Sequence, residues 1–255
     1  MKVRTLLSKK WLIPTLLVPL AVVVMVRLGM WQLDRLDQRR AHNRQVLAMR
    51  SAQPVELDAQ TITGAYPDSV EDDLSSWEYR TARVRGEYDP GKGMIIRNQA
   101  WKHQPGVHML IPLLIQGTDQ AVLVDLGWIP QEEYRKGQWK RYIQSGPLTI
   151  QGMIRTSQSP PALGGQPNPT PQSGQHITAW NFIDIEAIQE QMPYPLLPVY
   201  IQAAPRGEQD SLPFRTQPEF ELTSGPHLGY AIQWFAFATV LGIGYPVYVY
   251  RKEVK

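Results

Sequence analysis

Two stretches without charge, one near each end of the chain, bound what this sequence can fold into. Leu228 to Tyr250 holds 23 residues and no charged side chain. As a helix it is about 35 Å long, enough to cross a hydrocarbon core of about 30 Å with some tilt. Tyr230 and Trp234 at one end, and Tyr245, Tyr248 and Tyr250 at the other, sit where interfacial aromatics belong, and Arg251 and Lys252 stop the run. The first stretch, residues 12–30, is uncharged from Leu12 to Val26 and lies at the short end for a span. Arg27 near its end can snorkel, and Pro14 and Pro19 are tolerable in a membrane helix. The alternative is a cleaved signal peptide, with Lys2, Arg4, Lys9 and Lys10 as its basic region. Val26-Arg27-Leu28-Gly29-Met30-Trp31 is too bulky for a cleavage site, so the segment reads as a retained anchor.

Two spans put residues 1–11 and 251–255 on one side and residues 31–227 on the other. Lys2, Arg4, Lys9, Lys10, Arg251, Lys252 and Lys255 flank the spans on the terminal side. Arg35, Arg39, Arg40, Arg44 and Arg215 lie on the other. The excess of Lys and Arg favours cytoplasmic termini and an extracytoplasmic domain, hence a two-pass membrane protein. With 255 residues there is room for one sizeable domain plus the anchors. The net charge of +3 comes from scattered residues with no aromatic-interleaved basic stripe, which gives nucleic-acid binding no support. The absence of cysteine excludes disulfides, thiolate metal sites, a cysteine nucleophile and covalent c-type haem attachment.

Residues 31–50 contain no Gly or Pro and read as a helical extension of the first span, ended by Pro54. From Tyr79 the pattern changes to short β-prone runs: Tyr79–Gly86, Met94–Asn98, Val107–Ile115, Ala121–Trp128 and Leu148–Ile154. Asp-Pro-Gly, Gln-Pro-Gly, Gly-Thr-Asp and Ser-Gly-Pro separate them as turn signals. One helical insert, Gln131–Ile143, interrupts the strands. A short helix is expected at Asp184–Gln191 and a last strand at Val199–Gln202. Residues 157–175 hold five prolines and three glycines and read as a flexible loop. The expected fold class is an α+β membrane protein, with two transmembrane helices flanking a mostly antiparallel β-sheet or partly closed β-barrel.

No nucleophile motif, phosphate loop or zinc pattern is present, so no catalytic residue is assigned. Glu71-Asp72-Asp73 reads as a solvated loop. His103 and His108 lack carboxylates nearby in sequence and read as loop and strand-start residues, and His42 and His176 as solvent-facing. His227 differs. Pro226 suits the first helical position with Gly225 before it as cap, so His227 falls in the first turn of the second span. The helix dipole is positive there and favours the neutral imidazole, the form that ligates haem iron. His227, Ala231, Trp234, Ala238, Gly242 and Tyr245 share one face, whose small residues permit close approach of a helix or a flat porphyrin. The competing reading is an interfacial histidine bonded to a loop or headgroup.

The two ends that topology places at one membrane face carry a resemblance. Gly29-Met30-Trp31-Gln32-Leu33-Asp34-Arg35 resembles the G-x-W-Q-L-x-R signature of the surfeit-locus family of cytochrome c oxidase assembly factors. His227-Leu228-Gly229-Tyr230-Ala231-Ile232-Gln233-Trp234 is similar to its second signature, H-L-x-Y-A-x-x-W. Between them, Tyr79-Arg80, Val84 and Gly86 match its Y-R-x-V-x-V-x-G strand. Leu123-Val124-Asp125-Leu126-Gly127-Trp128-Ile129-Pro130 resembles V-L-V-N-R-G-W-V-P, with Asp125 and Leu126 in place of the usual Asn and Arg.

The resemblance implies a non-enzymatic factor of the bacterial plasma membrane for haem–copper oxidase biogenesis, one that delivers or retains haem a. Its partners would be the oxidase catalytic subunit and the enzymes of haem a synthesis. It carries over His227 as the iron ligand, with Trp31, Gln32, Tyr230 and Trp234 around it and Arg27 or Arg35 pairing with propionates. The alternative is a scaffold without haem, packing against the oxidase subunit through Ala231, Ala238 and Gly242.

Overall fold

The computed structural model describes residues 10–64, 74–160, 166–170, 176–205, 211–215 and 222–253. Lys2, Arg4, Lys9, Lys255 and the Glu71-Asp72-Asp73 cluster lie outside these residues, as do 161–165 and 171–175 of the loop. The described chain divides into a helical unit, residues 1–45 with 220–255, and a β unit, residues 46–219.

In the helical unit, α1 runs Leu12–Ser51 as one helix of 40 residues with Pro19 inside it, so the apolar stretch and the polar extension are continuous. The second helix, His227–Glu253, is α5 in chain order. Both are long and apolar enough to cross a membrane. Leu16, Val23, Ile232 and Val240 are exposed along them, and Val240 is 71% exposed. A contiguous apolar surface of this kind suits lipid rather than water. The two helices meet closely, because a β-carbon on Gly29 would lie 2.7 Å from the Phe235 ring. Ala231, Ala238 and Val249 are buried on α5. At the opposite end from His227, Trp11 Nε1–H donates to Glu253 (2.8 Å), and the Thr15 and Tyr245 hydroxyls share a hydrogen bond of 2.7 Å.

The β unit begins with β1 (Val55–Leu57) and a short α2 (Ala59–Gly64). There follow β2 (Thr81–Tyr88), β3 (Met94–Trp101), β4 (Gln104–Ile115) and β5 (Ala121–Pro130). After α3 (Gln131–Arg135) come β6 (Leu148–Arg155), β7 (Ala179–Trp180), α4 (Ile185–Gln189) and β8 (Leu196–Ala203). Period-two burial builds β2: Ala82, Val84, Gly86 and Tyr88 point inward and their neighbours outward. The sheet order is β1-β2-β6-β8-β5-β4-β3-β7, and β2 also pairs with β4. That extra pairing, Gly86 opposite Ile115 through Tyr88 opposite Leu113, closes β2-β6-β8-β5-β4 into a five-stranded barrel. Five of the pairings are antiparallel, while β1–β2, β3–β7 and β5–β8 are parallel. The fold is the expected α+β arrangement, with two candidate membrane helices flanking in sequence a mostly antiparallel sheet closed as a barrel.

β5 is buried along almost its whole length, because both of its faces are covered. Val122, Val124 and Leu126 join Val84, Ile111, Ile150 and Ile201 inside the barrel. Leu123 faces outward into a second cluster with Leu110, Trp180, Ile185, Ile188 and Tyr200. The segment around α4 supplies that cover, with Asp184 capping the helix through Ala187 N–H.

Several local expectations change. The insert is not one helix over Gln131–Ile143. Gly137, at φ +69°, separates α3 from a 3-10 turn at Trp139–Tyr142. The described parts of the Pro/Gly-rich segment are tied down: Gln158 N–H donates to Ile183 O, and Asn168 Oδ1 accepts from Asn181 and Phe182 N–H. His176 does not face solvent, since both its ring nitrogens are buried. His108 does have a carboxylate. A bulge opposite Met109 and Leu110, with Gly127 at φ +113°, brings Asp125 of β5 onto it.

Candidate functional site

The first turn of α5 sets the site. Gly225 has φ +66°, a left-handed conformation that only glycine adopts freely, and it turns the chain into the helix. Tyr230 N–H then donates to Pro226 O, so the helical ladder starts at Pro226, one residue later than Gly225 as a cap would place it. His227 is the first helical residue, half-buried, on the side of α5 that meets α1.

His227 Nδ1 lies 2.8 Å from Gln32 Oε1. The amide oxygen can only accept, so Nδ1 carries the proton and donates. The neutral ring then has its lone pair on Nε2, which makes no hydrogen bond among the described residues. Fixing one ring nitrogen by an outer partner is how proteins present the other to a metal. Gly225 matters a second time here. A β-carbon at that position would sit 3.3 Å from Cδ2 and 3.5 Å from Nε2 of His227, across the edge that a ligated iron needs. A β-carbon at Gly229 would meet nothing within 4 Å, but this position, two residues on, lies about 200° around the helix from His227 and faces away from it.

The other expected site residues are only partly gathered. Gln32 and His227 are bonded. Trp31 and Tyr230, at 49% and 48% exposure, both present bare ring surface. Arg35 does not reach the histidine: its guanidinium lies 5.7 Å from the centre of the Trp31 ring and donates to Gln38 Oε1 at 3.0 Å. Trp234 stands edge-on to Phe237 with ring centres 6.4 Å apart. Among the described residues no group of three His, Cys, Asp or Glu side chains could hold a metal ion. The donor set fits haem: one imidazole nitrogen with an open edge, beside exposed aromatic rings.

Two contacts were not foreseen from sequence. Gly29, of the first signature, seats Phe235. Asn43, buried in the helical extension, donates through Nδ2 to Leu222 O (2.9 Å) and Thr223 O (3.3 Å) and ties down the approach to α5. A single asparagine in a long apolar–basic helix gave a signal for a partner, though none for which one.

A model of the SURF1 family matches residues 20–239, which takes in both signatures and the whole barrel. The SURF1-like protein of Caenorhabditis elegans is 25% identical over 91% of this chain and 73% of its own length. Surfeit locus protein 1 of Gallus gallus is 23% identical over 94% of this chain and 74% of its own. That of Xenopus tropicalis is 21% identical over 89% and 71%. The chain belongs to the SURF1 family, a membership consistent with a role in cytochrome oxidase assembly.

Proposed function

We propose that this protein is an assembly factor of haem–copper (cytochrome c) oxidase that holds haem a transiently at the His227 end of its helix pair. The observation that carries the reading is the His227–Gln32 hydrogen bond. It joins the two signatures across 195 residues and leaves Nε2 as the donor atom. Haem would supply an iron able to take one more ligand from the protein. His227 would be that ligand, Gln32 would hold the ring and its tautomer, and Trp31, Tyr230 and Trp234 would give apolar or stacking surface. Arg35 sits over Trp31 and would meet a propionate at the rim. No covalent bond changes in such a role, so the protein is read as a carrier and not an enzyme. The oxidase catalytic subunit would receive the haem, and the enzymes of haem a synthesis would supply it. The signatures would lie at the outer face of a bacterial plasma membrane, with both termini cytoplasmic.

The scaffold alternative assigned Ala231, Ala238 and Gly242 to docking another protein. In the structure Ala231 and Ala238 are buried, and a β-carbon on Gly242 would face Val22 of α1. The chain's own first helix meets that stripe, so a scaffold would have to dock through another face of the molecule. The experiment is to purify the intact protein in detergent from cells that make haem a, beside His227→Ala. A Soret band in the parent and its loss in the variant is expected. Equal absence of the band in both, with haem available, would remove the ligand assignment.

A further inference from the structure

The two long helices leave a groove along one flank of their contact, a hollow of ≈ 430 Å³. Small-ligand sites span about 300–1,000 Å³, so this one is large enough to hold a ligand. α1 gives Met25, and α5 gives Phe237, Val240, Leu241 and Gly244. Tyr245 and Tyr248 border its far end. The Tyr245 hydroxyl shares a hydrogen bond of 2.7 Å with Thr15, and Tyr248 stands edge-on to Trp11 with ring centres 6.0 Å apart. These contacts fix the end of the groove remote from His227. The walls carry no charged side chain and suit hydrocarbon.

Helix periodicity ties the groove to the His227 end. From His227, steps of three or four residues lead through Tyr230, Trp234, Phe237 and Leu241 to Gly244, which makes one stripe of α5. The buried Ala231 and Ala238 lie on the adjacent stripe, beside α1. Trp234 stands edge-on to Phe237 and joins the two parts of the stripe. On α1, Met25 is two turns from Gln32 and on the same face. Phe237 lies about 15 Å along the axis from His227, and Gly244 about 25 Å.

A ligand that reaches both places needs a head for His227 and a long apolar tail. Haem a has that shape, because an isoprenoid (hydroxyethylfarnesyl) tail replaces one vinyl group of haem b. Extended from the porphyrin rim along the helices, the tail reaches the level of Phe237 and Leu241. Resting on the haem reading given above, we propose that this groove holds the isoprenoid tail of haem a. Iron and tail are then recognised at separate places on one helix pair. Lipid is as apolar as the groove, so the gain comes from packing and from tethering at the His227 end, not from leaving water. Gly244 keeps the groove open, since a β-carbon there would meet nothing within 4 Å. In Gly244→Leu the new side chain leans toward the helix N-terminus and fills the space beside Val240 and Leu241.

The test uses the full-length protein in phosphatidylcholine nanodiscs, titrated with haem o and with haem b and followed by the Soret band. Haem o has the tail and lacks the formyl group of haem a, so this pair isolates the tail. Gly244→Leu should weaken haem o about tenfold and leave haem b unchanged. His227→Ala should weaken both alike. Comparing variant with parent cancels the stronger partitioning of haem o into lipid. If folded Gly244→Leu weakens both haems or neither, the tail assignment is overturned and the His227 reading stands. No Soret response of the parent to either haem removes both. Should Gly244→Leu not fold, Val240→Phe, at an exposed position of the same groove, decides the matter with the same expected outcome.

Discussion

At the scale of single residues, the two histidines do opposite things with the same chemistry. His227 donates its Nδ1–H to a neutral amide, whereas His108 donates to a buried carboxylate whose charge favours a second proton on the ring. For His108, burial acts to lower the pKa, but the charge and hydrogen bond of Asp125 outweigh it and the net shift is upward. A raised folded-state value means the pair's stabilisation is complete below the ordinary histidine range and is lost as pH rises through the folded value. The thermal midpoint of the barrel should therefore fall across that window in the parent and stay flat in His108→Gln. Asp125→Ala strands the imidazole in a half-closed polar site and should cost about 3 kcal/mol in denaturant unfolding. At the other histidine, Gln32→Leu frees the ring and Gly225→Ala crowds its Nε2 edge. Each should lower haem a occupancy of the purified protein severalfold, with Gly225→Ala adding about 1 kcal/mol of backbone strain. His227 was legible in the sequence because a proline and a glycine announce the helix start. The His108–Asp125 pair was not, since a bulge between two strands leaves no periodic trace and the partners are 17 residues apart.

At the scale of elements, strand alternation made the barrel readable wherever one face is exposed, as in β2 and β6. β1 and β7, at three and two residues, are too short to show a period and emerged only from their parallel pairing. Gly137 split the insert that looked like one helix, an interruption a single glycine does not force. Two glycines matched by the family patterns have a packing reason. A β-carbon on Gly86 would run into Leu114 O, where β2 meets β4 and the barrel closes. Gly86→Ala should thus destabilise by about 2 kcal/mol, measured by chemical denaturation. Gly29→Val should push α1 from α5 through the Phe235 ring. The chain has no cysteine, so paired cysteines at Val22 and Gly242 report on that spacing without background. Their oxidative cross-link should form readily in the parent sequence and drop severalfold with Gly29→Val.

At the scale of the whole molecule, order along the chain has a temporal meaning. All eight strands are complete by Ala203, and α5 starts only at His227. A ribosome therefore finishes the barrel before it makes the second span, and domains fold as units in the order they emerge. The His227–Gln32 bond cannot exist until α5 has been inserted beside α1. The end of the molecule where His227 meets Gln32 is thus its last part to be born. A chain arrested or truncated after Ala203 would display a finished barrel on one anchor, with Gln32 waiting for a partner and no means of holding an iron.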